Sequence, residues 1–382
     1  MSDLTRRQLL AATAAAACTP ALTRAQPRGN GGGGSGGSGG SGAVMKWHPG
    51  QYLHLPSRGG VEAVEDTLAQ IRDVPAARGL QLRYNWAELE GDEGRYDFGR
   101  IQRDLDRVAG SRKRLHVLLM LKSFGGGARA VPEYLERKAE RGPATFGIGI
   151  QEKQAPGGPR QRAGQNLALW EPRVRDSLQE FMVAMGRALD AHPALESVAL
   201  NESALGQADR GIDADDRRRF FENLAAVNRG MRQAFPSTVV IQFVNFPKQA
   251  IPILTGPMPT TGVGLGGPDT FLDDRSLRDN VYTVYPRLAG VVPIAPSVQN
   301  ENYQALAHQG QRLKVPIEDL YEFARNQLRA NYIFWTRPQP WMKERWPELL
   351  NFLKTHPQGS TLTGGLATAC PSAFGGRCGS VG

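Results

Sequence analysis

The sequence contains no unbroken apolar run of the roughly 20 residues that a membrane-spanning helix needs. Its composition, 40% hydrophobic and 22% charged residues, is that of an ordinary globular protein. No integral membrane segment is therefore expected.

The motifs of cofactor-dependent and metal-dependent enzymes are also missing. There is no phosphate-cradling glycine loop after the first predicted strand, no serine nucleophile elbow and no dinucleotide fingerprint. The six histidines show no metal-ligand spacing. We therefore expect neither a cofactor nor a metal. Only His54, at the end of the first predicted strand, is expected near a binding pocket.

Cysteine is scarce, with three residues in the chain. Cys370 and Cys378 lie in the segment CPSAFGGRC, where two glycines let the chain turn back, so the pair predicts a disulfide. Two free thiols in a frayed tail are the alternative. A disulfide would suit an oxidising compartment.

The net charge of +9 falls to +6 when residues 1–28, which hold four arginines and one aspartate, are set aside. Much of the remaining excess consists of dispersed arginines, such as Arg217–Arg219 beside Asp213–Asp216, which indicates a solvated helix face. We therefore expect no nucleic-acid partner.

Residues 1–28 resemble a twin-arginine export leader. The segment TRRQLL at 5–10 precedes an alanine-rich apolar stretch, and Ala25 is a small residue suited to cleavage before Gln26. Such leaders export folded proteins, so we expect a periplasmic or secreted protein; an accidental arginine pair is the alternative. Cys18 is either an apolar residue removed with the leader or a lipid-modified cysteine that anchors the protein to a membrane, although Ala15 stands where a lipobox usually has Leu.

Residues 29–44 are rich in glycine and serine and predict a flexible linker, either a tether between leader and domain or tolerated low-complexity sequence. Beyond it, short apolar runs alternate with amphipathic stretches, which predicts repeated βα units. The sequence offers eight strands, at 51–55, 80–86, 115–121, 196–201, 238–244, 262–266, 291–298 and 330–335. Helices are expected at 61–77, 98–109, 173–191, 215–234 and 317–329.

This pattern predicts a single-domain α/β fold, a (β/α)₈ TIM barrel over residues 45–355, followed by a C-terminal tail at 356–382. Two connections, 122–172 and 267–290, are long and follow strands. In a barrel they lie on the C-terminal face, where active sites are built.

Glu202 is the best candidate for a catalytic carboxylate. It follows the fourth predicted strand, directly after Asn201, at the place where the apolar run ends. Hydrolysis of a glycosidic bond needs two carboxyl groups, about 5 Å apart in retaining enzymes and about 6.5–9.5 Å apart in inverting ones. An isolated Glu after a strand is more often a solvated loop residue, so the assignment needs further motifs.

Those motifs resemble the clan of (β/α)₈ retaining glycosidases that includes β-galactosidases, endoglucanases and endomannanases, over about residues 50–350. The clan's Asn-Glu pair after strand four matches Asn201-Glu202, and VPEYL at 131–135 is typical of it. The segment after strand two matches in Arg83, Trp86, Glu90, Gly94, Tyr96, Asp97 and Phe98. The resemblance implies that Glu202 is the acid/base, that Asn201 bonds the sugar 2-hydroxyl and that Trp335 stacks on a sugar.

The clan's nucleophile ends strand seven, and here Glu301 lies 99 residues after Glu202. It faces the same side as Gln299 if the strand extends that far. If the strand ends near Val298, Gln299 occupies the clan's position and Glu301 is a loop residue. Asp269, in the turn after strand six, is the reserve carboxylate or simply a turn residue.

Further side chains near the rim are candidates for binding roles. Arg83 is expected to hold the nucleophile ionised, or else to pair with a barrel carboxylate. Trp86 and Trp335 offer flat faces to a sugar, or else fill the core. Together with the leader, the resemblance implies an exported glycosidase acting on a β-linked oligo- or polysaccharide by double displacement. The alternative is a non-catalytic carbohydrate-binding barrel that has lost the strand-seven carboxylate.

Overall fold

The computed structural model describes residues 43–56, 60–124, 129–139, 142–149, 162–306 and 312–379. The predicted leader, its Cys18 and the glycine-rich segment up to residue 42 lie outside the described residues. Every described helix is too short or too polar to span a membrane.

Eight parallel strands close into a barrel in which each strand pairs with its neighbours along the chain and β8 pairs with β1. The (β/α)₈ prediction is confirmed. The strands are β1 Gly50–Leu55, β2 Ala77–Asn85, β3 Arg114–Met120, β4 Leu195–Leu200, β5 Val239–Phe243, β6 Gly264–Gly267, β7 Ile294–Val298 and β8 Tyr332–Thr336.

Successive side chains of each strand serve two different cores, because they point alternately into and out of the barrel. On β1, Tyr52 belongs to the interior cluster, whereas Leu53 packs in the larger cluster between strands and helices. Both faces are buried, which explains why the strands read as nearly continuous apolar runs.

Helices cover the outside of the barrel and carry their buried residues at helical spacing, as Phe181, Met182 and Met185 do. The helices are α1 Gly60–Gln70, α2 Gly99–Gly110, α3 Pro172–Leu189, α4 Ala214–Ala234, α5 Ala250–Thr255, α6 Tyr285–Leu288, α7 Ile317–Glu322 and α8 Arg345–Thr355. Shorter helical segments adjoin three of these helices. Helix α5 is followed by the helical turn Met258–Thr261, and α6 is preceded by the short helix Arg275–Leu277 and the π-helix Arg278–Tyr282. Helix α7 continues into the π-helix Phe323–Gln327.

The long connection after β3 contains structure that the sequence did not predict. Strands Lys122–Phe124, Thr145–Gly149 and Arg162–Leu167 form an antiparallel side sheet together with Gln207–Ala208 from the segment after β4. Because these segments follow β3 and β4, the side sheet belongs to the C-terminal side of the barrel. The βα connections also contain two short helices, Trp86–Leu89 and Glu133–Lys138. They contain two small hairpins as well, in which Glu90–Asp92 pairs with Arg95–Tyr96 and Gln304–Leu306 pairs with Arg312–Lys314.

The tail beyond residue 355 is part of the barrel rather than a frayed end. Cys370 and Cys378 form a disulfide, and Cys378 forms a β-bridge with Met45 at the N-terminal side of the barrel. Phe374 lies in the interior cluster, 6.1 Å from the ring centroid of Trp47. The tail therefore helps to close the N-terminal end, opposite to the face where active sites are built.

Candidate active site

Glu202 lies just beyond β4 and has a partner for each carboxylate oxygen. Its Oε2 accepts a hydrogen bond from Asn245 Nδ2 at 2.7 Å, and its Oε1 lies 3.6 Å from Lys122 Nζ. The side chain is 26% exposed, so it remains accessible from the barrel mouth. Contacts from two neighbouring strand ends thus fix the orientation of the carboxylate.

Asn245, just after β5, can present only its amide nitrogen to Glu202. Its Oδ1 accepts hydrogen bonds from the backbone N–H groups of Ala204 and Phe246, at 3.0 and 2.7 Å. The oxygen is therefore committed to the backbone, and the NH₂ group faces the carboxylate. Asn245 is nearly fully buried, which makes this geometry rigid.

Lys122 follows β3 and is buried beside the same carboxylate. Its ammonium donates to the backbone oxygens of Glu202, at 3.0 Å, and of Ala204. Burial lowers the pKa of Lys122, and the negative charge of Glu202 opposes that effect. Lys122 thus fixes the backbone of the segment that carries Glu202 and also stabilises the negative charge of the Glu202 carboxylate.

Asn201 ties β4 to β3 instead of standing free. Its Oδ1 accepts a hydrogen bond from Leu121 N at 2.8 Å, and its backbone oxygen accepts one from Gln242 Nε2 at 3.0 Å. The NH₂ group of Asn201 and the second lone pair of its Oδ1 remain to serve a substrate hydroxyl, so the predicted 2-hydroxyl contact would rest on these.

Arg83 projects from β2 toward the carboxylates. Burial lowers its pKa to about 10, although the negative charges of Glu202 and Glu301 act in the opposite direction. No described residue accepts a hydrogen bond from Arg83 Nε. His54, on β1, is fully buried, and burial together with the positive charge of Arg83 holds its pKa well below the usual range. His54 therefore contributes a neutral ring to the base of the site.

Asp269, beyond β6, is the most strongly perturbed carboxyl group of the site. The neighbouring Asn302 is held in place, because its Oδ1 accepts hydrogen bonds from the backbone N–H groups of Gln299 and Thr270, at 2.6 and 3.1 Å. Burial, together with the negative charges of Glu202 and Glu301, raises the pKa of Asp269 to about 7. A substantial fraction of Asp269 is consequently protonated near neutral pH.

Strand seven ends at Val298, where the predicted strand 291–298 also ends, so of the two alternatives the structure has the one in which Gln299 directly follows the strand and Glu301 lies beyond it. Gln299 caps the 3₁₀ helix Asn300–Tyr303, and its Oε1 accepts a hydrogen bond from Thr336 Oγ1 at 3.3 Å. Glu301 lies on that helix and is exposed. Its orientation is therefore set by the helix and not by strand alternation, although its charge still acts on Arg83 and Asp269.

The two predicted sugar-stacking tryptophans are core residues, and both predictions of a binding role are wrong. Trp335 is fully buried on the outer face of β8, where its Nε1 donates to Gln51 Oε1 at 2.8 Å. Trp86 is equally buried, and its Nε1 donates to Glu90 Oε2 at 2.7 Å. Neither indole has a face left for a ligand.

A different tryptophan is exposed on the C-terminal side of the barrel. Trp341 lies on the 3₁₀ turn Pro340–Met342 after β8 and is 67% exposed. The loop that carries it is fastened to the helix of Glu301, because Gln339 N donates to Asn300 Oδ1 at 3.0 Å. Sequence reasoning missed this residue, although its place in the PQPW segment after a predicted strand was a usable signal.

The sequence matches no protein-family model and no curated protein sequence. Solved structures do resemble it. The catalytic domain of a β-amylase from Paenibacillus polymyxa aligns with 87% of this chain and 98% of its own, at 9% identity and a TM-score of 0.52.

Two β-galactosidases align at 11% identity. The enzyme of Bacillus circulans sp. alkalophilus aligns over 77% of this chain and 50% of its own length, with a TM-score of 0.51. The enzyme of Halorubrum lacusprofundi aligns over 75% of this chain and 52% of its own length, with a TM-score of 0.50. The chain spans about half the length of these β-galactosidases. At such low identity the likeness establishes the fold: this chain is a (β/α)₈ barrel of the kind found in structures of glycoside hydrolases.

Proposed function

We propose that the protein is a glycoside hydrolase whose active site is the carboxylate cluster Glu202, Asp269 and Glu301. The observation that carries the proposal is the convergence of these groups, each contributed by a different βα connection, on the C-terminal face of the barrel. The charges of Glu202 and Glu301 both reach Asp269 and Arg83. These charges help to raise the pKa of Asp269, so the cluster offers a protonated acid next to carboxylates, the combination that hydrolysis needs.

The geometry favours a division of roles that differs from the one implied by the family resemblance. Asp269, with a pKa of about 7, would donate the proton to the leaving oxygen. Glu202, fixed by Asn245 and Lys122, would attack C1 or activate water. The negative charge of Glu301 would help to keep Asp269 protonated. In the assignment from the resemblance, Glu202 is the acid/base and Glu301 is the nucleophile.

The proposed substrate is a β-linked oligo- or polysaccharide. Support comes from the motif resemblance, from the β-galactosidase structures that share the fold, and from the exposed indole of Trp341 on the loop next to Glu301. An aromatic face of this kind packs against the C–H surface of a sugar. The leader resemblance supports the further proposal that the enzyme acts in the periplasm or outside the cell.

Hydrolysis of aryl β-glycosides and β-linked oligosaccharides tests these roles. We expect E202Q to lose activity on every substrate. D269N should lose activity on oligosaccharides but still release dinitrophenol from dinitrophenyl glycosides, whose leaving group needs no proton: with turnover if Glu202 activates water, or as a burst of one equivalent if Glu202 attacks C1 and Asp269 is then needed as the base. D273N removes an exposed carboxylate from the same loop and should leave both activities unchanged.

The pH profile gives a second readout. A proton donor with a pKa of about 7 predicts activity that falls as the pH rises through 7, and this alkaline limb should disappear in D269N on dinitrophenyl substrates. If E301Q abolishes activity on both substrate classes while D269N spares both, the assignment from the resemblance is right and ours is wrong.

One observation favours a second candidate function, a non-catalytic carbohydrate-binding barrel. The residue that follows β7 is Gln299, an amide, and the nearby Glu301 is exposed on a 3₁₀ helix. Calorimetric titration with β-linked oligosaccharides separates the two functions. Binding without any hydrolysis would support the binding barrel and refute the enzyme.

A further inference from the structure

A groove lined by cations opens on the N-terminal side of the barrel, on the opposite face from the carboxylate cluster. It has a volume of about 770 Å³ and lies between the turn that leads into β2 and the turn that leads into β3. Its charged lining residues are Arg72, Asp73, Arg78, Arg112, Lys113 and Arg114. We call it the basic groove.

Positive charge in the basic groove is poorly compensated. Within the part of the chain that the structure describes, Arg72, Arg112, Lys113 and Arg114 have no carboxylate within 4.0 Å. Asp73 is the only acidic residue among those that line the groove. Cations gathered in a concave surface focus a positive potential, which attracts an anion and is relieved when one binds.

The crowding of cations affects the protonation of Lys113. It is 8% exposed, and its ammonium donates to the backbone oxygens of Val74 and Ala77 at 3.1 and 2.8 Å. Burial and the positive charge of Arg78 lower the pKa of Lys113 to about 8, against the charge of Asp73. A bound anion would reverse this effect and stabilise the charged lysine.

Arg112 occupies a position that normally belongs to glycine. Helix α2 ends in a Schellman motif, in which Arg112 N donates to Ala109 O and Lys113 N donates to Val108 O, at 2.9 and 3.0 Å. Arg112 consequently has a φ of 55°, in the left-handed region. The Schellman motif thus places a cation at the edge of the groove in a backbone conformation that glycine would also adopt.

Arginines at the ends of helices commonly do no more than complement the helix dipole, an effect confined to the last turn of each helix. That explanation covers Arg72 and Arg112, which follow the ends of α1 and α2. It does not cover Arg78 and Arg114, which belong to strands β2 and β3 and line the same groove; the side chain of Arg78 is hydrogen-bonded to Tyr52 and Arg114 donates to Pro193 O, and both of these acceptors are neutral.

We propose that the basic groove binds an oxyanion with two or more negative charges, a phosphate or sulfate group that belongs either to a soluble ligand or to a lipid headgroup. The guanidinium groups match such an anion because each offers paired N–H donors. The site is separate from the proposed sugar-cleaving site, and its occupation does not depend on that function.

The first test follows the melting temperature of the full chain as inorganic pyrophosphate or sulfate is added, with ionic strength held constant by sodium chloride. We expect a saturable rise of several degrees with pyrophosphate, since a ligand that binds only the folded state stabilises it. A response no larger than that to chloride would overturn the proposal.

Two matched variants locate the effect. Arg112→Gly removes a groove cation and suits the left-handed backbone, so it should fold at least as well as the parent. Arg329→Gly makes the same change at a φ of 60° in a turn that does not line the groove. We expect at least tenfold weaker pyrophosphate binding in the first variant and a change within twofold in the second. Equal behaviour of the two variants would place the binding elsewhere.

The source of the oxyanion is resolved with vesicles. Co-sedimentation with vesicles that contain phosphatidylglycerol, but not with pure phosphatidylcholine, would identify a lipid headgroup if pyrophosphate displaces the protein and Arg112→Gly abolishes the effect. Pyrophosphate binding without vesicle binding would identify a soluble ligand. Vesicle binding that Arg112→Gly leaves intact would count against the groove as the contact.

Discussion

The buried carboxylate Glu196 should make the stability of the fold depend on pH in a defined way. Glu196 is fully buried at the N-terminal end of β4. It accepts hydrogen bonds from His48 N, His48 Nδ1 and the hydroxyl of Tyr332, each at 2.7 Å. Replacing it with glutamine keeps the shape of the side chain but removes the charge on which these donors converge.

The size of the effect follows from the pKa of Glu196. Burial alone would raise that pKa, but the hydrogen bonds and charge of His48, with smaller contributions from His116 and Tyr332, lower it from 4.5 to about 2. At about 1.36 kcal/mol per pH unit, this difference corresponds to about 3 kcal/mol of folding free energy. Because the folded-state pKa is the lower one, the stabilisation is fully present above pH 4.5 and is lost as the pH falls through 2.

Urea unfolding of the parent and of E196Q between pH 7 and pH 2.5 measures this contribution. We expect E196Q to be about 3 kcal/mol less stable at pH 7, with the gap narrowing below pH 4.5. Glu222→Gln, on the exposed face of α4, is the control and should cost less than about 1 kcal/mol at every pH. A gap that stays constant from pH 7 to pH 2.5 would refute the reasoning.

Three further predictions concern single contacts. Asn245→Ala removes the hydrogen bond that orients Glu202 and should reduce kcat/KM about 10- to 100-fold, as measured on aryl glycosides, with an unchanged circular dichroism spectrum. Trp341→Ala should weaken oligosaccharide binding several-fold in calorimetry and leave the melting temperature within about 1 °C, because the indole is exposed. Serine at both Cys370 and Cys378 opens a short loop and should cost about 2–3 kcal/mol in urea unfolding under non-reducing conditions.

The eight strands could be predicted from the sequence because a parallel barrel buries both faces of every strand and so produces short apolar runs. The same property hides the direction in which each side chain points. On β8, Phe334 lies in the interior cluster, and alternation therefore turns Trp335 outward into the helix layer. The polar Thr336 at the end of this strand was the signal that could have fixed the alternation.

The side sheet after β3 could not be predicted in the same way. Its strands Thr145–Gly149 and Arg162–Leu167 contain glycines and few β-branched residues, so no local preference marks them. Pairing with each other and with Lys122–Phe124 supplies the stability that their composition does not. Long-range pairing of this kind leaves little trace in the sequence.

The candidate site was predicted where a motif existed and missed where only tertiary contacts create it. Glu202 stands out through its Asn-Glu pair, whereas Lys122 and Asn245 belong to no motif and matter because their strands end beside it. Asp269 was visible only as a turn residue. Its raised pKa arises from burial and from two carboxylates that are distant in sequence.

A substitution at the end of β7 can test which residue there is functional. Gln299 directly follows the last residue of the strand, and the next carboxylate along the chain is Glu301. Gln299→Glu should fold normally, since its side chain acts as an acceptor toward Thr336 Oγ1 and the backbone of Asn302, and a carboxylate accepts both bonds. If Glu301 is the nucleophile, E301Q is inactive and the double variant Q299E/E301Q stays inactive. If Asp269 and Glu202 carry the reaction, E301Q retains activity, and its alkaline limb moves to lower pH because one of the charges that raise the pKa of Asp269 is lost. Activity that appears only when Glu stands at 299 would instead mean that the strand-end position is the catalytic one and that the natural protein is a binding barrel.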